Sequence, residues 1–157
     1  MKTNYLLPYK FKALGWVLFI LGIVGGLYVL TTNYEQDILS TNVLSIYKGE
    51  SLSGKESGFF KIIKNDILDE IVALFIIVGG MFVTFSREKV EDEFIYKLRK
   101  DSLVWAVIFN YSVLLIAILF VYDFAFFDVL VFNMFTPLMF FILRFNFLKL
   151  KSRSHEE

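Results

Sequence analysis

The sequence has no cysteine, one histidine and two prolines among its 157 residues. Without cysteine there can be no disulfide, thiol nucleophile or cysteine zinc site. The single histidine, His155, lies in the charged C-terminal tail, which excludes bis-histidine haem, paired nucleophile–histidine catalysis and HExxH zinc chemistry. A glycine-rich phosphate-binding loop is also missing. The sequence therefore predicts a protein that is not an enzyme and holds neither a cofactor nor a metal.

Apolar residues, in contrast, are abundant. They make up 57% of the chain, and the mean hydropathy is +0.61, which is too apolar for an ordinary soluble domain of this size. The 16 basic and 16 acidic residues give a net charge of zero, and they fall almost wholly between the apolar runs. The basic residues lie next to the ends of the runs, a distribution that membrane topology explains. No nucleic-acid partner is therefore predicted.

The apolar residues form four runs of roughly 18 or 19 residues, close to the ~20 that a helix needs to cross a bilayer. They cover about residues 13–30, 67–85, 103–121 and 126–143. A spanning segment must satisfy its backbone hydrogen bonds internally, which favours helices. We therefore expect an all-α membrane protein, a single polytopic domain over residues 1–157, with four transmembrane helices as two antiparallel hairpins.

Lysine and arginine flank these runs unevenly. Three lysines precede the first run, five basic residues fill the connection between the second and third, and four follow the fourth, whereas the turn between the third and fourth has none. By the positive-inside rule, this pattern predicts that both termini are cytoplasmic.

The connection between the first two runs, residues 31–66, is the only long outer loop. Its stretches "VLSIY" and "FFKII" are rich in strand-forming residues and are separated by a glycine- and serine-rich stretch. This pattern favours a small β-hairpin with a flexible tip. The alternative is a tether that lies on the membrane, because an isolated hairpin is marginally stable in water.

Glycines predict where the first two helices meet. Gly22 and Gly26 have the small-xxx-small spacing that lets another helix approach closely, and Gly79 and Gly80 lie in the second run. We expect a close crossing near Gly22 and Gly79. A glycine-lined permeation path is the alternative.

A few polar residues lie within the third and fourth runs. They are Asn110, Asp128, Asn133 and Thr136. Asn133 and Thr136 share a helical face, and Asn110 lies at a depth from which a hydrogen bond to that face is expected. Asp128 either reaches the membrane interface or is an ionisable group within the bundle, which would point to a proton site.

The connection between the second and third runs carries the densest charge. Val90, Phe94, Ile95 and Leu98 recur at helical spacing, which predicts an amphipathic cytoplasmic helix over about residues 87–102. We expect this helix either to bind a partner or to lie solvated on the inner leaflet. Its candidate partner-binding residues are Glu88, Glu91, Asp92, Glu93, Lys97, Arg99 and Lys100.

Four stretches that cover nearly the whole chain resemble an uncharacterised family of small bacterial membrane proteins with four spans. They are "YLLPYKFKALGWVLFILG", "IIKNDILDEI", "FSREKVEDEFIYKLRKDSLVWAV" and "VFNMFTPLMFFILRFN". The resemblance implies a bacterial inner-membrane location and carries no catalytic residue to this chain.

These observations favour a non-enzymatic accessory or regulatory subunit that contacts the lipid bilayer and binds either another protein or further copies of itself. The alternative is a small oligomeric transporter or channel, in which Asp128 or Asn133 lines a hydrated path.

Overall fold

The computed structural model describes residues 6–32, 39–48 and 58–153. Within these ranges it has four helices and one two-stranded sheet, and each helix is long and apolar enough to cross a membrane. In chain order they are α1 (Lys10–Thr31), β1 (Ser40–Lys48), β2 (Gly58–Asp66), α2 (Leu68–Phe85), α3 (Glu93–Phe120) and α4 (Phe124–Arg153). The predicted set of four candidate membrane helices is confirmed. The predicted flexible tip of the outer loop and His155 lie outside the described residues.

The long helices differ from their predicted bounds. The predicted amphipathic helix over about residues 87–102 is helical only from Glu93, where it forms the first part of α3 and continues into the apolar run. Its predicted start at 87 is wrong, because residues 86–92 form an irregular connection. α4 continues ten residues beyond the predicted end at 143, to Arg153. The apolar run marks only the part of the helix that is apolar enough for lipid. The helix itself extends into polar sequence and ends where other groups satisfy its terminal N–H and C=O groups.

A side-chain cap at the start of α3 and backbone hydrogen bonds to Leu7 hold the 86–92 connection in place. The Asp92 carboxylate accepts the Ile95 N–H at 2.8 Å, which caps α3 at its N-terminus. The Leu7 N–H donates to the Phe85 carbonyl at 2.8 Å, and the Arg87 N–H donates to the Leu7 carbonyl at 2.9 Å. The N-terminal segment is therefore attached to the end of α2.

α1 packs against α2 through glycines. A Cβ atom at Gly15 would lie 2.7 Å from the Phe82 Cβ, and one at Gly22 would lie 2.7 Å from the Ile76 nitrogen. Residues further along α1 thus meet residues earlier in α2, so the two helices run in opposite directions. Gly79 faces the Phe19 backbone, where an added Cβ would lie 2.9 Å from the Phe19 Cα.

The other two predicted packing glycines have more room. A Cβ at Gly26 would lie 3.6 Å from the Val72 Cγ1, and one at Gly80 would lie 3.3 Å from the Leu138 Cδ1. The tight contacts on α1 therefore come from Gly15, Gly22 and Gly25, where a Cβ would lie 2.8 Å from the Val72 Cγ2, rather than from the expected pair of Gly22 and Gly26.

α3 packs against α4, and α4 also contacts α2. Phe109 and Phe140 stack with their ring centroids 4.5 Å apart, which sets the register of α3 and α4. The buried apolar cluster draws on all of the described helices. It comprises Phe19, Ile76, Val83, Ile95, Ala106, Phe141, Ile142 and Phe145.

β1 and β2 form an antiparallel hairpin whose register runs from Ser40 opposite Asp66 to Lys48 opposite Gly58. The predicted β-hairpin is confirmed. At its base the Ile67 N–H donates to the Leu39 carbonyl at 3.4 Å, and Asp66 accepts the Leu68 N–H at 3.1 Å. The hairpin therefore leads directly into the first turn of α2.

We expect Gly79→Ala to lower the free energy of unfolding by about 2 kcal/mol, because the new methyl would collide with the Phe19 backbone and force the helices apart. Gly26→Ala is the matched control. Its methyl has room, so it should be neutral or stabilising by about 0.5–1 kcal/mol through helix propensity. Denaturant titration of both variants in detergent checks this, and equal stability would contradict the close crossing at Gly79.

Candidate functional site

Five charged side chains meet at one end of the helices, near the N-termini of α1 and α3 and the C-termini of α2 and α4. They are Lys12, Glu88, Glu91, Arg99 and Lys149, and we call them the charge cluster. At its centre, one carboxylate oxygen of Glu88 accepts from the Lys12 ammonium, and the other accepts from Lys149 at 2.6 Å. Glu88 is only 7% exposed. Its carboxylate thus joins α1 to α4 from a position in the 86–92 connection.

Arg99 of α3, also 7% exposed, forms the second half of the cluster. Its guanidinium donates to both carboxylate oxygens of Glu91, at 3.1 and 3.2 Å. It also donates to the carbonyls of Thr84 at 3.2 Å and Ser86 at 3.1 Å. Carbonyls at the end of a helix have no partner within the helix, and a cation there is favourable. Arg99 therefore closes the C-terminus of α2 with a side chain from α3.

An aromatic ring lies between the two halves. The Lys12 ammonium is 6.0 Å from the centroid of the Phe145 ring, and the Arg99 guanidinium is 5.5 Å from it. Cations at this distance from a ring face are attracted by its quadrupole. Nearby, Arg144 of α4 donates to the Ser102 hydroxyl of α3 at 3.1 Å and lies 5.7 Å from the Trp105 ring.

The cluster fixes the ionisation of Glu88. Burial by itself raises the pKa of this carboxyl, but the hydrogen bonds and positive charges of Lys12 and Lys149 act in the opposite direction and together are larger. The pKa of Glu88 therefore lies below its ordinary value of 4.5. The group is a carboxylate at neutral pH, and its interactions are structural.

The structure separates the residues predicted to bind a partner into two groups. Glu88, Glu91 and Arg99 belong to the charge cluster, and Asp92 caps α3, so all of these have structural contacts. Glu93, Lys97 and Lys100 are instead exposed on the first turns of α3. The acidic residues also do not converge: within residues 6–32, 39–48 and 58–153, no three His, Asp or Glu side chains are close enough to hold a metal ion.

Sequence reasoning did not single out Lys12 and Lys149 as partners of Glu88. These contacts join residues 76 and 61 positions apart, and no local pattern encodes them. The only available signal was that basic residues gather at the same ends of the apolar runs as the acidic group of residues 88–93.

The polar residues of α3 and α4 do not form the expected interhelical hydrogen bond. In the described part of the chain, the amide oxygens of Asn110 and Asn133 are buried without a partner. The Thr136 hydroxyl donates to the Phe132 carbonyl of its own helix at 3.1 Å. The α3–α4 register explains this: Phe109 stacks on Phe140, which places Asn110 and Asn133 at different depths. Asp128 has an exposed side chain.

The β-hairpin presents a second candidate surface. Its large apolar side chains are 60–74% exposed, namely Leu44, Ile46, Tyr47, Phe59, Phe60 and Ile62. Leu44 pairs across the strands with Ile62 on one face, and Tyr47 pairs with Phe59 on the other. The Tyr47 and Phe59 rings are 5.1 Å apart. Both faces of the hairpin therefore carry exposed apolar side chains.

Comparison of the chain with models of protein families, with curated proteins and with solved structures gave no match. The resemblance noted from the sequence therefore stays a prediction.

Replacing Glu88 by Gln should lower the free energy of unfolding by about 3 kcal/mol at neutral pH, because two lysines lose their carboxylate. Folding lowers the pKa of Glu88, so its contribution is complete above the ordinary value of 4.5 and is lost as the pH falls below it toward the lowered pKa. The parent and variant curves, measured by denaturant titration from pH 7.5 to 3, should therefore converge in acid.

Glu93→Gln is the control for this experiment, because Glu93 is exposed and forms no ion pair among the described residues. It should change stability by less than about 0.5 kcal/mol. A difference between the parent and Glu88→Gln that stays constant down to pH 3 would show that the charge of Glu88 does not stabilise the fold.

Asn133→Leu and Asn110→Leu should each leave the free energy of unfolding unchanged or raise it by about 1 kcal/mol, because each removes a buried amide oxygen that lacks a partner. Ser102→Ala provides the contrast, since it removes a hydrogen bond that does join α3 and α4. It should cost about 1 kcal/mol. Losses of that size in the asparagine variants would instead indicate an interhelical bond.

Proposed function

We propose that the chain is a multi-pass membrane protein, arranged as two antiparallel helical hairpins with both termini cytoplasmic, in a bacterial inner membrane. It acts as a non-enzymatic accessory or regulatory subunit that binds another protein through the β-hairpin on the outer side. The exposed apolar surface on both faces of that hairpin is the observation that carries this proposal.

The distribution of charge supports the orientation. The charge cluster brings together Lys12, the 86–92 connection and Lys149, so the basic flanks lie at one end of the helices. The hairpin leads into the start of α2, which is the opposite end of that helix. With the basic end cytoplasmic, the hairpin stands on the outer side of the membrane.

The hairpin needs a protein partner for a physical reason. Large apolar side chains grouped on a surface mark interaction sites, because leaving them in water is unfavourable. A hairpin lying flat on the bilayer would cover one face and leave the other in water. A two-stranded sheet also has two open edges whose backbone groups are available to a further strand. A protein that packs around the hairpin satisfies both requirements.

The charge cluster is not suited to bind a partner. Glu88 and Arg99 are buried, and both Glu88 oxygens and the two terminal nitrogens of Arg99 are bonded to neighbouring elements of the same chain. A partner that engaged them would have to break the contacts that join the helices. The outer hairpin can be covered without that cost.

No observation on the helices favours the transporter alternative to the same degree. Asp128 has an exposed side chain, and it lines neither of two cavities that lie beside the first turns of α3. Asn110 and Asn133, whose amide oxygens lack a partner among the described residues, do not line these two cavities either.

Two cross-strand double variants test the proposal, each with the full chain crosslinked in its native membrane. Leu44→Ser with Ile62→Ser alters one face, and Tyr47→Ser with Phe59→Ser alters the other. Burying one such apolar side chain contributes about 1.5–3 kcal/mol, so each pair should reduce partner recovery by at least about tenfold. Mass spectrometry of the crosslinked species measures the recovery.

Asn42→Ser with Lys64→Ser is the matched control, because these residues form a cross-strand pair nearer the base of the same hairpin. It should leave recovery unchanged. Undiminished recovery from both apolar variants would remove the hairpin from the proposal. If only one of the two variants reduced partner recovery, the partner would cover one face and the other face would rest on lipid. Recovery of only self-crosslinked chains would favour a homo-oligomer.

A further inference from the structure

A groove with a basic rim lies along the first turns of α3, beside the charge cluster. Its open part, about 450 Å³, is lined by Glu93, Phe94, Tyr96, Lys97 and Lys100. Tyr96 and Lys100 also line a smaller cavity of about 100 Å³, so the two are neighbours. The small cavity reaches between α2, α3 and α4, where Phe85, Leu103 and Phe141 give it an apolar wall.

The charges around the groove are unbalanced. Lys97 and Lys100 are three residues apart on the helix and point to the same side. Neither forms an ion pair with a carboxylate of the described residues, although Glu93 and Asp101 are each four residues from Lys97. Arg99 is already paired with Glu91. The groove is therefore net positive, with two lysines against the single carboxylate of Glu93 that lines it.

Two residues that line the small cavity also carry polar groups without a partner among the described residues. Thr84 is 4% exposed and its hydroxyl has no hydrogen-bond partner, and the Nε–H of the buried Arg99 has none either. Both residues line this cavity. Buried polar groups without partners are rare in folded proteins, and such a group in a cavity indicates a site for a polar ligand.

We propose that this groove binds the phosphate headgroup of an anionic phospholipid, with Lys97 and Lys100 contacting the phosphate and the apolar cavity wall contacting the start of an acyl chain. Ammonium groups bind phosphate as point charges. Basic pockets between membrane helices on the cytoplasmic side suit anionic headgroups. The site depends on the proposed orientation in the membrane but not on the hairpin's partner.

The surroundings favour a lipid over a free anion. Leu103 begins the apolar run of α3, so Lys100, three residues earlier, is about one helical turn from the hydrocarbon, and Lys97, six residues earlier, is about two turns from it. The small cavity combines the polar groups of Thr84 and Arg99 with an apolar wall that includes Leu103 and Phe141, and a free phosphate would leave that wall uncovered. A phospholipid has both parts in the required order, a charged headgroup followed by a chain.

Native mass spectrometry of the full chain in a nonionic detergent, titrated with phosphatidylglycerol or phosphatidylcholine, tests the site. The parent should bind phosphatidylglycerol at a single saturable site and phosphatidylcholine at least about tenfold more weakly, because the groove is net positive. Lys97→Gln with Lys100→Gln should weaken phosphatidylglycerol binding by at least about tenfold. Both lysines are exposed, so the fold should be retained, and circular dichroism checks this.

Lys10→Gln with Lys89→Gln is the matched control, because it removes the same charge from two exposed lysines that do not line the groove. It should alter binding less than twofold. Equal losses in the two double variants would mean diffuse attraction to charge and would overturn the site. Equal binding of both lipids would overturn it as well, and displacement of the lipid by millimolar inorganic phosphate would show a free-anion site instead. These outcomes are independent of the hairpin's partner.

Discussion

The arrangement of the helices depends on one carboxylate held between two lysines. In a bilayer, no hydrophobic force draws helices together, because lipid tails are as apolar as the side chains. α1 and α2 meet through their glycines, and α3 and α4 through stacked aromatic rings, but the two pairs share less contact. Glu88 provides a specific connection between them, because Lys12 belongs to the first helix and Lys149 to the last.

This connection determines which charges remain available for other work. Glu88, Glu91 and Arg99 are held by other parts of the chain, and Asp92 is held by the N-terminus of α3. What remains on the surface at this end is mainly basic, around Lys97 and Lys100. A neutral chain thus presents a positive groove, because three acidic residues near this end, Glu88, Glu91 and Asp92, have partners inside the fold while Lys97 and Lys100 form no ion pair among the described residues.

Local patterns in the sequence predicted the helices and the hairpin well, because hydropathy and strand propensity act over a few residues. Contacts between distant residues were not predictable in this way. The lysine partners of Glu88 lie far away along the chain. The absence of a hydrogen bond between Asn110 and Asn133 depends on the register in which α3 packs against α4. The start of α3 was missed although Asp92 is a standard capping residue, because the helical spacing of Val90 and Phe94 suggested an earlier beginning.

The two ends of the molecule therefore differ in what they need from outside. The end with the charge cluster satisfies most of its polar groups internally and leaves a net positive groove on the surface. The hairpin end is the reverse: cross-strand contacts such as Tyr47 on Phe59 are its main support, and an isolated two-stranded sheet is only marginally stable. A partner that covers the apolar faces would also order the hairpin, so binding and folding of this segment would be coupled. Such coupling suits a regulatory contact, because part of the binding energy is used to order the segment and the complex stays reversible.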